Sequence, residues 1–405
     1  MKFCCRICNS SNLTLIIDLG KQPWGNDFIK IKDNIKSKKF PLRLVFCNNC
    51  SLVQLDYTIP KEKMFINHSY MSGTTRTLNN HFVSVSEKIC KKFNVNKKKF
   101  VVDIGGNDGT FLDFYKNKKI EVLNVESGKA QAKISKKKGI HTINSFFNNK
   151  IAEKIIKKNG LADIIHGSGI FFHLEELHSV FKGIKKLLNP NKGVLVAQFI
   201  YLPKMIKSLA YDQIYHEHLL YYTLNTFQNL LNQHDLEIFD FYFSPIHGGS
   251  CIAYISHSGN FDKSQKLKKE LKVEKTNGYL NINKYLLFSN KIKKLKIKLL
   301  NKINYLIDKK YIIHGLGAPV KGSTMINYLG LNSKHLTCAV EINPHKFNTF
   351  YPGTDIPVYD QFKMKAPDIY LLLAWNFKDE ILKKMKSFRD KKGKVLIPIP
   401  KVEIL

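Results

Sequence analysis

The sequence predicts an α/β fold: a doubly wound parallel sheet, preceded by a small metal-binding domain and followed by a second, smaller parallel α/β unit. Three observations predict it. Two Cys-x-x-Cys pairs stand near the N-terminus, a strand runs into a glycine-rich turn at residues 100–110, and a second strand-glycine-helix pattern begins at Tyr311. At 405 residues the chain is too long for a single core, and 44% hydrophobic content excludes wholesale disorder. No apolar run approaches the length of a membrane-spanning helix, so no membrane insertion is expected. The start, Met1-Lys2-Phe3-Cys4-Cys5-Arg6, lacks the apolar stretch of a secretion signal, and a cytoplasmic location is expected.

Charge is the loudest compositional feature, with a formal net charge of +33. It invites a polyanionic partner. Yet nearly all of it is lysine, the arginines being Arg6, Arg43, Arg76 and Arg389. Base readers lean on bidentate arginine. The spread of lysine over every segment points to background composition, and no specific nucleic-acid partner is expected.

Cys5/Cys8 and Cys47/Cys50 form the two knuckles. Each turns two thiolates toward one point, and together they complete a tetrahedral S4 shell for zinc. With all four places filled by protein the zinc is expected to be structural. Leu15–Ile17 and Leu42–Phe46 read as strands between the knuckles.

Residues 100–110 read Phe-Val-Val-Asp-Ile-Gly-Gly-Asn-Asp-Gly-Thr. The spacing departs from the dinucleotide pattern G-x-G-x-x-G. Asp103-x-Gly105-x-x-x-Gly109 is instead the pattern of S-adenosylmethionine (SAM) methyltransferases, with Gly105, Gly106 and Gly109 admitting a ligand close to the backbone. The expected cofactor contacts are Asp103, Gly105, Gly106, Asn107 and Gly109. Glu126 ends the second strand, where an acid can accept both ribose hydroxyls. Ser145 and Phe146 follow the third strand and would flank the adenine. Alternation continues through strands at Asp163–His166 and Val194–Phe199, the mark of a doubly wound sheet.

Tyr215-His216-Glu217-His218-Leu219-Leu220-Tyr221-Tyr222 is the most unusual string. His-Glu-His suits either a metal site or acid–base catalysis, in which a carboxylate orients an imidazole that titrates near neutrality. A structural loop is the third reading. His247-Gly248-Gly249-Ser250 precedes an apolar strand.

In the last third, Phe288, Ile292, Leu295, Leu299, Ile303 and Leu306 recur at helical spacing, predicting a connecting helix with lysines outward. Tyr311–His314 reads as a strand entering Gly315-Leu316-Gly317. Lys321 to Thr324 begin a helix whose N-terminus suits phosphate. Strands at Leu336–Val340, Ile369–Leu373 and Val395–Ile399 complete a second sheet.

Taken together these strings resemble the three-domain SAM-dependent sugar C-methyltransferases of deoxysugar biosynthesis. The two knuckles, Asp18-Leu19-Gly20, Phe40-Pro41-Leu42, Tyr70-Met71-Ser72-Gly73, the 102–109 loop, Tyr215–His218, His247–Ser250, Gly317–Gly322 and Tyr351–Thr354 carry the resemblance over nearly the whole chain. It implies a zinc-binding domain (1–70), a methyltransferase core (71–260), a connecting segment (261–300) and a C-terminal Rossmann-like domain (301–405). It implies a nucleoside-diphosphate keto sugar as substrate and His218 as catalytic base, with Glu217, His173 and Tyr70 beside it. Tyr215, Tyr222 and His247 would contact the substrate, and Lys321 and Ser323 its pyrophosphate. Two positions depart from the family: Gln198 stands where a glutamate is usual, and Gly169 where asparagine is favoured. A methyltransferase acting on oxygen or nitrogen, and a zinc-ribbon nucleic-acid-binding protein, are the alternatives.

Overall fold

A computed structural model describes residues 3–33, 35–68 and 70–405, and for His247 the backbone only. It contains three sheets. Their positions follow from the sequence pattern: the central strands are mostly apolar and buried, as in Phe100–Ile104, where all five residues are buried and Asp103 alone is polar.

The N-terminal sheet pairs Leu13–Pro23 with Lys39–Cys47 antiparallel, and Lys39–Cys47 with Val53–Leu55. Its fourth strand, Leu220–Tyr221, comes from the string that follows His218. The central sheet has seven strands in the order Leu236–Ser244, Ser250–His257, Val194–Ile200, Ile164–Ser168, Phe100–Ile104, Glu121–Glu126, His141–Asn144. The last five are parallel, and Ser250–His257 runs antiparallel to both its neighbours. Phe100–Ile104 therefore lies where strand order reverses, the place at which such sheets bind ligands.

The third sheet has five parallel strands in the order Lys394–Ile397, Ile369–Leu372, Ile313–Leu316, Cys338–Glu341, Pro357–Asp360, with short antiparallel additions at its edges. One of these, Ile29–Lys30, is donated by the N-terminal region. Between the second and third sheets run helices Gln265–Thr276 and Ile282–Asp308. The longer one buries the six apolar residues that its periodicity singles out, and its lysines alternate with them. Among the described residues no helix is long and apolar enough to cross a membrane.

Candidate active site and zinc centre

The knuckles are near copies of each other. Asn9 donates its backbone N–H to the carbonyl of Cys5, and Ser51 does the same to Cys47, each at 2.9 Å. Both closing residues adopt left-handed backbone, φ 56° and 63°. The four sulfurs lie within 4.8 Å of one another, with Cys5–Cys50 and Cys8–Cys47 at 3.5 Å. Zn–S bonds of about 2.3 Å place tetrahedral sulfurs about 3.8 Å apart, so the thiol set fits zinc. Among the described residues this is the one cluster of three or more such donors whose atoms converge. Arg6, between the first pair, donates to the Leu55 carbonyl at 2.5 Å and to Thr58 Oγ1 at 2.6 Å, tying the knuckle to the sheet below.

The glycine turn is shaped by what surrounds it. Gly105 has φ 69°. A Cβ on Gly106 would come within 2.5 Å of Asn124 Oδ1 and 2.7 Å of Asp103 Oδ2. Gly109 caps helix Thr110–Asn117, and a Cβ there would meet the Ile140 side chain at 2.6 Å, so its absence serves helix–strand packing. Glu126 accepts from the backbone N–H of Asn107 at 2.8 Å and of Gly128 at 2.6 Å. Burial raises its pKa. Burial, with Glu126 second, pushes Asp103 up to about 8. Asp103 Oδ1 and Asn124 Oδ1 are buried without a hydrogen-bond partner. Such orphaned acceptors around a cradle without side chains fit a polar cofactor. Asp103, Gly105, Gly106 and Glu126 are the residues that would hold SAM. Ser145 lies beside Glu126, donating its N–H to the Glu126 carbonyl at 3.0 Å, and half-buried Phe146 lies under the Lys61 ammonium at 4.8 Å. Its neighbour Phe147 is core.

His218 is buried in an aromatic box. The Tyr215 ring lies 3.8 Å from its own, with Phe172 at 4.6 Å and His173 at 5.2 Å. Its Nδ1 lies 2.9 Å from the Gln213 carbonyl oxygen. A carbonyl only accepts, so the proton sits on Nδ1 and the lone pair on Nε2. His173 Nδ1 is bonded in the same way to the Glu217 carbonyl at 2.5 Å, and burial lowers its pKa to about 4. Tyr70 is 51% exposed, and its backbone carbonyl accepts from Asn107 Nδ2 and Gln131 Nε2.

Several expectations need correction. His216, Glu217 and His218 do not converge on a metal: His216 Nε2 donates to the Pro41 carbonyl, and Glu217 Oε1 accepts from Trp24 Nε1 at 2.6 Å and Asn26 Nδ2 at 3.0 Å. The Gln213 carbonyl, rather than the Glu217 carboxylate, orients the His218 ring. Tyr222 is fully buried and donates its hydroxyl to the Phe171 carbonyl, so it packs the core instead of touching substrate. Ser323 is buried inside helix Val320–Leu329, facing Asn327. Lys321 is held by Asn376 Oδ1 at 2.5 Å and lies 3.8 Å from Asp212 and 4.5 Å from the Trp375 ring centroid. Both are engaged within the protein. The side chain of His247 lies outside the described residues.

The sequence reading missed the two tryptophans. Trp24, from the N-terminal region, holds Glu217, and Trp375, from the C-terminal sheet, donates Nε1 to Asp212 Oδ2, also at 2.6 Å. They are the only two in the chain, and that rarity was the available signal. Together with the Thr324 hydroxyl on the Ile214 carbonyl, they grip the 212–218 segment from both flanking domains. At the departing positions, Gln198 Oε1 accepts from His81 Nε2 at 2.7 Å, and Gly169 takes φ 76°, a conformation asparagine also tolerates.

Comparison with known proteins agrees with this architecture. Residues 5–65 match the family model described as "Putative zinc binding domain", 83–240 the methyltransferase domain, and 245–400 the C-methyltransferase C-terminal domain. The C-methyltransferase NovU of Streptomyces niveus is 25% identical over 99% of this chain and 96% of its own length. Similar solved structures include magnesium protoporphyrin IX methyltransferase of Synechocystis PCC 6803 with bound SAM, 12% identical with a TM-score of 0.34 over 44% of this chain and 79% of that one. Another is the plantazolicin methyltransferase BpumL, 13% identical with a TM-score of 0.36 over 46% and 86%. The three family models, in chain order, and a relative spanning the whole length show a zinc-binding domain, a methyltransferase domain and a C-methyltransferase C-terminal domain, and support a SAM-dependent C-methyltransferase.

Proposed function

We propose that the protein methylates a carbon next to the ketone of a nucleoside-diphosphate-linked keto-deoxysugar, in the cytoplasm, with His218 as the base. The observation that carries this reading is the Nδ1–H bond from His218 to the Gln213 carbonyl, which puts the basic lone pair on Nε2 inside an aromatic box. A proton beside a ketone is weakly acidic because the enolate places charge on oxygen, and a neutral imidazole is suited to remove it.

The developing oxyanion needs a donor. His173 gives its Nδ1 proton to the Glu217 carbonyl and stays neutral, so its other nitrogen only accepts. Tyr70, which carries an O–H, is the donor this reading assigns. SAM, when bound, would supply an electrophilic methyl group, its S–CH3 bond breaking as S-adenosylhomocysteine leaves. The carbon that has lost its proton uses the freed electron pair to form the new C–C bond. Glu217 and Asp212, gripped by Trp24 and Trp375, keep the His218 segment in place while this happens.

The test is incubation with SAM and a panel of nucleoside-diphosphate 4-keto sugars in deuterated water. Wild-type protein should methylate one of them and exchange the proton at the reacting carbon. His218→Ala should lose both, by about 10²–10⁴-fold, the usual contribution of a general base. Methylation that persists in the variant, or that falls on oxygen or nitrogen, would remove the base from His218 and the carbon from the reaction.

A further inference from the structure

Asn107 stands in the cofactor turn, yet its side chain faces elsewhere. Its Oδ1 accepts the backbone N–H of Ser72 at 2.9 Å, and its Nδ2 donates to the Tyr70 carbonyl at 3.2 Å. Its backbone N–H is the one bonded to Glu126 Oε2, at 2.8 Å. The next residue repeats the pattern, Asp108 Oδ2 accepting the N–H of Gly73 at 2.9 Å. The residue between the carboxylate expected to take the ribose and the segment bearing Tyr70 thus touches both. Its backbone is left-handed, φ 52°, a conformation that costs most residues free energy and that asparagine accepts.

We propose that Asn107 is a positioning residue that couples cofactor binding to the placement of Tyr70. A ligand on Glu126 fixes the carboxylate, the carboxylate fixes the Asn107 backbone, and the Asn107 amide clasps Tyr70 and Ser72. The acceptor side of the site is then assembled by the cofactor, and occupancy of one favours the other reciprocally. A second latch is independent of the turn: Gln131 Nε2 donates to the carbonyls of His68 and Tyr70, both at 2.9 Å. The two latches differ in that only Asn107 also bonds Glu126. The inference rests on the proposed role of Tyr70 for its catalytic meaning, but the coupling itself does not need that role.

The test is amide hydrogen exchange of peptides covering Tyr70–Thr75, with and without saturating S-adenosylhomocysteine, whose occupancy is measured by calorimetry. Asn107→Gly is the informative variant, because glycine keeps the left-handed backbone and its N–H while deleting both side-chain bonds. Wild-type protein should show exchange slowed about tenfold by the ligand, the size of an ordinary coupling free energy. In Asn107→Gly that slowing should largely vanish, and by reciprocity ligand affinity should fall by up to about the same tenfold and no further. Gln131→Ala should exchange faster in both states and keep the ligand-dependent ratio. Equal slowing in wild type and Asn107→Gly would overturn the proposal, as would its loss in Gln131→Ala. A loss of ligand affinity in Asn107→Gly of about a hundredfold or more, well beyond the coupling factor, would also overturn it, by making the amide a cofactor contact. Failure of Tyr70→Phe to affect methyl transfer would instead count against the proposed catalytic role alone.

Discussion

The chain builds the same turn twice. In the central sheet Gly105 donates its N–H to Val125, and in the third sheet Gly317 donates to Val340, both at 2.8 Å and both with left-handed backbone. Each follows the strand at which strand order reverses, Phe100–Ile104 in one and Ile313–Leu316 in the other. Each is braced by the acid that ends the next strand. Glu126 accepts two backbone N–H groups, and Glu341 accepts three, from Ala318, Ile342 and Asn343.

What differs is which polar groups and side chains surround the turn. Aligned on Gly105 and Gly317, the position of Gly106 is taken by buried Ala318, and that of Asp103 by Gly315. Lys346 Nζ and the Tyr351 hydroxyl donate to the carbonyls of Ala318 and Pro319, and Val320 packs against Gly25 from the N-terminal region. The first turn carries no side chain at Gly106 and keeps an orphaned carboxylate oxygen beside it; the second carries the Ala318 methyl there and is capped by its own domain. A strand, a glycine and an acid are therefore a way of making a tight βα turn. Ligand binding is added by what is left out around it.

The sharpest way to break this comparison is Gly106→Ala, which gives the first turn the methyl group that the second carries. The added Cβ would meet Asn124 and Asp103 at 2.5–2.7 Å. Overpacking of roughly 1–3 kcal/mol should weaken S-adenosylhomocysteine binding by about ten- to hundredfold, read by calorimetry. Unchanged affinity would mean that the cradle is not where the cofactor lies. Next in size is a matched pair, Glu126→Gln and Glu341→Gln. Each replaces a charged acceptor of backbone N–H groups, a bond type worth about 1.5–3 kcal/mol. The first should lower ligand affinity by about tenfold or more; the second should lower the denaturation midpoint and leave affinity alone. Equal effects on binding would erase the distinction between the turns.

The parts of this architecture that were legible in the sequence are the local ones. Strand and helix alternation located Phe100–Ile104 and Glu121–Glu126 to within a residue, and ligand type and spacing located the four cysteines. Periodicity alone drew the buried face of Ile282–Asp308. Side-chain partners across domains were not legible. Glu217 meets Trp24 across 193 residues of sequence, and Asp212 meets Trp375 across 163. Nothing in Tyr-His-Glu-His says that its glutamate turns away from the second histidine. Likewise nothing at the helix start of Lys321 says that Asp212, from the turn Tyr211–Gln213 more than a hundred residues earlier, lies beside it.

A smaller effect tests the orphaned carboxylate. Asp103 is raised from 3.8 to about 8 in the folded protein, first by burial and then by Glu126. The unfolded chain releases that proton earlier, so stability is lost as pH rises from about 4 to about 8. In thermal melts without cofactor, Asp103→Asn should lack this slope and gain a few degrees on wild type at the alkaline end. The third-sheet turn has Gly315 at the corresponding place and no such liability. Parallel melts of wild type and variant across the whole pH range would place the slope in some other group.

The smallest change asks whether the second turn is only structural. Gly317 has φ 80°, and a Cβ built on it would lie 3.5 Å from Ala374, an ordinary contact. Gly317→Ala therefore brings no clash, and its cost is the left-handed backbone alone, about 1 kcal/mol. The denaturation midpoint should fall slightly, with the dissociation constant of S-adenosylhomocysteine unchanged. The same substitution at Gly105 adds a clash with Ile170 at 2.7 Å to the same backbone cost, and should weaken ligand binding as well as stability. If Gly317→Ala weakened the cofactor too, strain in the third sheet would have to reach the first turn. The route available is the segment both domains grip, through Trp375, Asp212 and the Gln213 carbonyl that holds His218, and the second turn would then belong to the active site after all.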